Sequence, residues 1–221
     1  MSGAPAIEAI CIGLPKPFNG AELSAIDKKP VEGSVTIRKF GIEGDMVADT
    51  KVHGGPDKAV HLYPHEHYAF WREELGGHAL LEGPAAFGEN LMCYGLKEDA
   101  VLIGDRFRIG TAILEVSQPR QPCWKIDHRF QHKGMVKRII QTHRSGYYFR
   151  VLEEGRVQAG DLAERVAPGH TGWTVARVFS KLYDPSDLAA PHELDEIAGL
   201  ERLSAVFREK ALKARAAPPS Q

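Results

Sequence analysis

Across the first two-thirds of the chain, apolar residues come in short runs cut by glycine and proline. IEAICIGL (7–14), SVTIRKF (34–40), KAVHLYP (58–64), GENLMCY (88–94), VLIGDRFRIG (101–110) and AILEVSQP (112–119) are rich in β-branched or aromatic residues and bounded by turn formers. That pattern predicts strands, and the regular spacing of short strands predicts a barrel or sandwich. HEHYAFWREELG (65–76) interrupts the series with a predicted helix, Pro64 in its first turn and Gly76 as its stop. GMVKRIIQTHR (134–144) predicts a second helix, and YYFRVLEEGRVQAGD (147–161) a closing hairpin. Beyond APGHTGW (167–173) the apolar positions take up a helical period in TVARVFSKLYD (174–184), HELDEIAGL (192–200) and ERLSAVFREKALKARA (201–216). The expectation is a mainly β domain over residues 1–169, with a few peripheral helices, followed by a small helical domain over 170–216.

Composition narrows the function classes. With 43% hydrophobic and 26% charged residues over 221 positions, the chain reads as a soluble globular protein with a full core. A formal net charge of -1 argues against a dedicated nucleic-acid binder, and no apolar run is long enough to span a bilayer. The opening MSGAPAIEAICIG lacks a basic leader and an apolar h-region. Three widely spaced cysteines, Cys11, Cys93 and Cys123, form no CxxC pair. Together these features predict a cytoplasmic protein with reduced thiols, and neither a membrane nor a nucleic-acid partner.

Candidate chemistry concentrates in three places. In SQPRQPCW (117–124), Pro119 and Pro122 restrict the backbone around Cys123, and Arg120 brings a permanent positive charge that favours a thiolate. A thiolate is a metal ligand or a nucleophile, whereas a thiol at a strand end is also an ordinary small core residue. The local sequence leaves both readings open. Cys11 and Cys93, inside apolar strands, read as core. In DTKVHGGPDKAVHLYP (49–64), Gly54 and Gly55 permit close backbone approach to a ligand, and Lys51, His53 and Lys58 offer charge for a phosphate. By itself that stretch reads first as a tight turn between strands. In FGENL (87–91), Glu89 and Asn90 stand between a turn and an apolar strand, where an asparagine can read an amide-like heterocycle edge. His53, His61, His65 and His67 cluster in sequence, but no spacing among them matches a zinc site, and His61 alternates with core residues as a satisfied strand histidine does. There is no GxGxxG, P-loop, HExxH or GxSxG motif.

Taken in order, GIEGD (41–45), KVHGGPDKAVHLYPHEHY (51–68), FGENL (87–91) and IGDRFRIGTAILEVSQPRQPC (103–123) resemble the MOSC domain, named after the C-terminal domain of molybdenum cofactor sulfurases. The similarity covers roughly residues 7 to 165 and is nearest the bacterial YiiM-type branch, which confers resistance to N-hydroxylated base analogues. The resemblance implies a MOSC-type β-barrel with a small three-helix end. It implies Cys123 as the protein ligand to the molybdenum of a pterin (molybdopterin-type) cofactor, with Arg120 favouring its thiolate and available to the cofactor's phosphate. It further implies Glu89 and Asn90 at the pterin edge, Lys51, His53, Gly54, Gly55 and Lys58 along the phosphate or substrate side, and His53 as proton donor. The implied activity is reduction of N-hydroxylated compounds such as hydroxylaminopurines to amines, with electrons from a separate flavoprotein or iron–sulfur reductase. The fused sulfurases carry an additional pyridoxal-phosphate domain for which this chain has no length, so no pyridoxal phosphate is expected. Two rival readings remain from the sequence: a carrier of the cofactor or its sulfur without turnover, and a metal-free thiol enzyme using Cys123 and His53. A non-enzymatic interaction module would leave PRQPC (119–123) without a purpose.

Overall fold

The structure, a computed structural model, describes residues 3–49 and 54–217. Its centre is an eight-stranded sheet in the spatial order Ala163–Ala167, Arg106–Ile109, Ala112–Pro119, Tyr147–Glu153, Val60–Pro64, Leu91–Cys93, Ile7–Ile12, Lys29–Pro30. Neighbours are antiparallel except Val60–Pro64 and Leu91–Cys93, which run parallel, so the sheet is mixed. It curls into a half-barrel with peripheral helices and a helical C-terminus, the class that the alternating pattern predicts. No described helix is long and apolar enough to cross a membrane.

The middle strand, Ala112–Pro119, is buried at all eight positions. Strands covered on both faces lose polar alternation, and here the second cover is the C-terminal helix Val175–Tyr183. The strand's one carboxylate, Glu115, is tolerated because Arg106 and Arg150 each reach it, at 2.7 and 2.8 Å. Ser117 is likewise satisfied, its hydroxyl lying 2.6 and 2.9 Å from the carbonyls of Asp57 and Tyr148, between which its one proton is shared. Helices Val175–Tyr183, Pro191–Gly199 and Ala205–Ala216 place Val178, Ile197 and Phe207 in the same apolar cluster as Val101, Ile103 and Val116 of the sheet region. Thr174 and Ser204 open the first and third of these helices by accepting from the amides of Arg177 and Phe207.

Several boundaries depart from the sequence pattern for visible reasons. The expected strand over 101–110 is only Arg106–Ile109, because residues 102–105 form a turn closed by Asp105, with Gly104 at φ 82°. The expected hairpin over 147–161 is divided between two sheets. Tyr147–Glu153 joins the central sheet, while Gly155–Val157 pairs with Val35–Arg38 beside Gly41–Ile42. Gly155 permits the crossing, since a Cβ there would lie 2.5 Å from the backbone of Thr111 and Ala112. The edge strand Ala163–Ala167, the hairpin Lys16–Asn19 with Glu22–Ser24, and the short helix Lys125–Arg129 carried no periodic signal.

A polar clasp ties the C-terminal helices to the rest. His143, just after helix Met135–Thr142, lies 2.9 Å from Asp184, whose other oxygen accepts from the amide and hydroxyl of Ser186. The two bonds from Ser186 and then His143 hold the Asp184 carboxyl down, at about 2. A depressed carboxylate stabilises the fold above its unfolded pKa and loses that contribution as pH falls through its folded value. The shift corresponds to about 2 kcal/mol at neutral pH. The stability deficit of Asp184→Asn, measured by urea unfolding, is therefore expected to roughly halve between pH 5 and pH 3.

Candidate functional site

A cavity of about 460 Å³ opens between the loops at one end of the half-barrel, lined among others by Cys123, Arg120, Lys58, Gly54, Gly55 and Asn90. Three sequence segments far apart in the chain thus meet at one place. Cys123 sits in the turn between strand Ala112–Pro119 and helix Lys125–Arg129, half-buried, its carbonyl accepting from the amide of Ile126 at 3.0 Å. Pro119 still pairs with Tyr147 in the sheet, so the loop leaves from a fixed point. Arg120 is held by its amide, which donates to the carbonyl of Gly146 at 2.9 Å.

Gly146 is constrained in turn. It adopts φ 71°, and a Cβ there would meet the Leu62 carbonyl at 2.6 Å and Nε2 of His61 at 2.7 Å. Its amide donates to Glu98 at 2.7 Å, and Glu98 also binds His67 at 2.6 Å.

The opposite wall is a closed polar network. Asp45 accepts from the amide of Gly13 at 2.8 Å, from Nδ2 of Asn90 at 2.8 Å, and from the ammonium of Lys28. Asn90 also donates to the Cys11 carbonyl at 3.1 Å and accepts from the His61 amide at 3.1 Å. Both amide hydrogens of Asn90 are therefore spent on the protein, while its carbonyl oxygen keeps one lone pair without a protein donor.

Glu89 is not brought to the cavity. It is fully buried, binding the amides of Ala85 and Phe87 at 2.8 and 3.0 Å and the Tyr68 hydroxyl. It organises the turn before Asn90 and is not among the residues that line the cavity, where the sequence had placed it at the pterin edge. Burial raises the Glu89 carboxyl above its usual range and raises Tyr68 as well. Lys51 and His53 lie outside the described residues.

The structure adds residues that the pattern did not single out: Lys28, Asp45, His61 and Tyr148 also line the cavity. The motif GIEGD (41–45) contains Asp45, but nothing in the sequence pairs it with Lys28. His61 differs from the satisfied strand histidine expected from its alternation. It is buried, and its Nε2 has no hydrogen-bond partner. Burial, and then the charge of Arg120, push its pKa well down, so the imidazole is neutral. The ring of Tyr148 lies 5.0 Å from that of His61. Burial raises the Tyr148 hydroxyl and the Arg120 charge opposes the shift. Burial likewise lowers Lys58, and it pushes the Cys11 and Cys93 thiols up to about 12, as befits core cysteines.

The histidines do not converge. His65 pairs with Glu8 at 2.5 Å and His67 with Glu98, while His61 faces the cavity wall. Among the described residues no group of three His, Cys, Asp or Glu side chains is placed to hold a metal ion by themselves.

The signature of the MOSC domain matches residues 49–164. The chain belongs to the MOSC domain family. The protein YflK of Bacillus subtilis is 42% identical over 197 residues, 89% of this MOSC chain and 87% of YflK. A protein of Gibberella moniliformis named Reductase is 38% identical over 162 residues, 73% of this chain and 29% of that protein. The crystal structure of YiiM from Geobacillus stearothermophilus superimposes with a TM-score of 0.81 at 37% identity, over 96% of this chain and all of that one. MOSC domains are associated with molybdenum cofactor binding.

The donor set of this MOSC cavity fits such a group. Cys123 supplies a soft sulfur, suited to a thiolate-rich metal centre. Nη1 of Arg120 is buried with no partner in the protein, an expensive arrangement that an anionic oxygen relieves. Because Asn90 holds three segments together, Asn90→Ala is expected to destabilise the fold by about 3 kcal/mol in urea unfolding. Glu89→Gln removes a buried carboxylate that does not itself line the cavity, so it should change stability more than it weakens binding of an anion in the cavity.

Proposed function

We propose that this protein is a molybdenum-cofactor-dependent reductase of N-hydroxylated compounds, with Cys123 as the metal's protein ligand. The observation that carries the reading is the unpartnered guanidinium nitrogen of buried Arg120 in the cavity that Cys123 lines. Lys58, Gly54 and Gly55 line the same cavity and suit the phosphate of a pterin cofactor, as does Lys51 from the neighbouring sequence. Asn90 offers its remaining carbonyl lone pair to a pterin N–H.

The reaction converts R–NH–OH, two electrons and two protons into R–NH₂ and water, breaking the N–O bond. When bound, the cofactor supplies the two-electron redox chemistry. The chain's own residues anchor, orient and deliver protons. Cys123 fixes the metal's position from a loop leaving a paired strand. Arg120, held at its amide by Gly146, neutralises anionic charge. Neutral His61 serves as a hydrogen-bond partner, and His53, an imidazole from the neighbouring sequence, is the proposed proton donor.

Electrons come from a separate reductase of flavoprotein or iron–sulfur type. A cytoplasmic setting agrees with the three free thiols.

Anaerobically purified wild type is expected to carry stoichiometric molybdenum and pterin, and Cys123→Ala to lose most of the metal while keeping the wild-type far-ultraviolet circular dichroism. Equal metal in both would overturn the ligand assignment. With reduced methyl viologen as donor, wild type is expected to turn over hydroxylaminopurine. His53→Gln should lower kcat about 100-fold and remove a limb of the pH–rate profile near neutrality. A metal-loaded wild type without turnover would favour the carrier reading.

A further inference from the structure

A second cavity, of about 280 Å³, lies between helix Glu66–Glu74 and the segment 132–141. Exposed Lys133 and Lys137 and half-buried Arg138 line it, together with buried Trp71 and Met135. Its one carboxylate, Glu74, is taken up by Arg138 through bonds of 2.7 and 3.0 Å. Neither Lys133 nor Lys137 forms an ion pair among the described residues. Arg144 extends the positive surface along helix Glu66–Glu74, its guanidinium 3.9 Å from the centroid of the Phe70 ring. This charge is concentrated in one stretch of sequence. Residues 120–144 hold seven Lys or Arg against one acid, Asp127, which leaves 21 Lys or Arg and 28 Asp or Glu in the rest of the chain. A protein with a formal net charge of -1 thus carries a basic face on an acidic body.

A basic face alone is an ordinary solvated surface. What lies beneath this one gives it significance. Trp71 lines the second cavity and Phe87 lines the first, and their ring centroids are 5.6 Å apart. Tyr63 stacks on Phe87 at 4.2 Å, and its hydroxyl accepts from Nε1 of Trp71 at 2.7 Å. All three rings are buried, so the two cavities stand back to back across one wall of packed aromatic side chains.

We propose that the basic second cavity is the docking face for an acidic electron-carrier protein, which there brings its redox centre up to the aromatic wall behind Cys123 and Arg120. The inference rests on the reductase reading above and names where the electron donor of that site binds. Two electrons leave the reduced carrier, which ends oxidised. Together with two protons from water they convert R–NH–OH into R–NH₂ and water. Electron tunnelling weakens steeply with distance and with every gap in the packing, so a close-packed wall is a short route that requires no change in the rings themselves. Electron-transfer encounters bury little area and are steered by complementary charge. Lys133 and Lys137 lack carboxylates of their own, and an acidic partner supplies them. Docking here also leaves the mouth of the first cavity free for substrate.

An acidic [2Fe–2S] ferredoxin serves as the probe. Calorimetric titration at low ionic strength needs no turnover. The Kd for ferredoxin is expected to rise about 10-fold in Lys133→Glu/Lys137→Glu, to rise with added salt in wild type, and to stay unchanged in Lys213→Glu, an exposed position of helix Ala205–Ala216. In turnover, kcat/KM for reduced ferredoxin is expected to fall by a similar factor in the double variant, while turnover driven by reduced methyl viologen keeps its wild-type rate. Wild type that does not bind ferredoxin, binding indifferent to the two lysines, or an equal loss with both donors overturns the proposal. Wild type that binds ferredoxin through Lys133 and Lys137 but reduces no hydroxylamine with either donor overturns the reductase reading and leaves the docking face standing.

Discussion

The buried ion pair between Lys28 and Asp45, completed by Asn90, is the constraint on which the cavity depends. A buried charge pair is stable only when its remaining hydrogen-bonding capacity is filled. Here Gly13 and Asn90 fill that of the carboxylate, and Asn90 in turn binds Cys11 and His61. One small network therefore fastens strand Ile7–Ile12, the loop bearing Asp45, and the parallel pair Val60–Pro64 and Leu91–Cys93 into a single wall. Parallel neighbours are the exception in this sheet, and the carbonyl and amides of Asn90 lie where the two chains begin to run together.

The other wall is built on the opposite principle. Arg120 is held at its backbone by a paired strand end and the Gly146 carbonyl and at its side chain by Tyr148, yet Nη1 of its guanidinium is left without a partner. Proteins rarely bury a polar atom without satisfying it, and Nη1 of Arg120 and Nε2 of His61, two such atoms, belong to residues that line this one cavity. The same reasoning separates the two residues of FGENL (87–91): Glu89 is saturated by its own turn, while Asn90 keeps one acceptor site open.

The cavity has a polar floor and an apolar lip. A cationic floor with a soft sulfur suits an anionic, sulfur-rich cofactor, while the exposed side chains of Phe40 and Met46 line the same cavity. Each property comes from a different part of the chain: the floor from sheet strands and their loops, the lip from a hairpin belonging to a second, three-stranded sheet. The crossing at Gly155 joins those two sheets, so the bend that defeats a simple hairpin reading is also what sets Phe40 over the cavity.

The sequence by itself determined the strand-and-turn character of the first two-thirds, the helical end, and the family through the order of its motifs. Those features are local: alternation, turn residues and stiffened loops act within a few positions, so they can be read without knowing what lies across the fold. Only the tertiary structure decided that Glu89 faces away from the cavity, that His61 has an unpartnered nitrogen, that Lys28 finds Asp45, and that residues 147–157 serve two sheets. These are outcomes of which distant groups meet and which atoms water can no longer reach. Hydrogen-bond satisfaction and desolvation are properties of the assembled chain, and no local pattern encodes them.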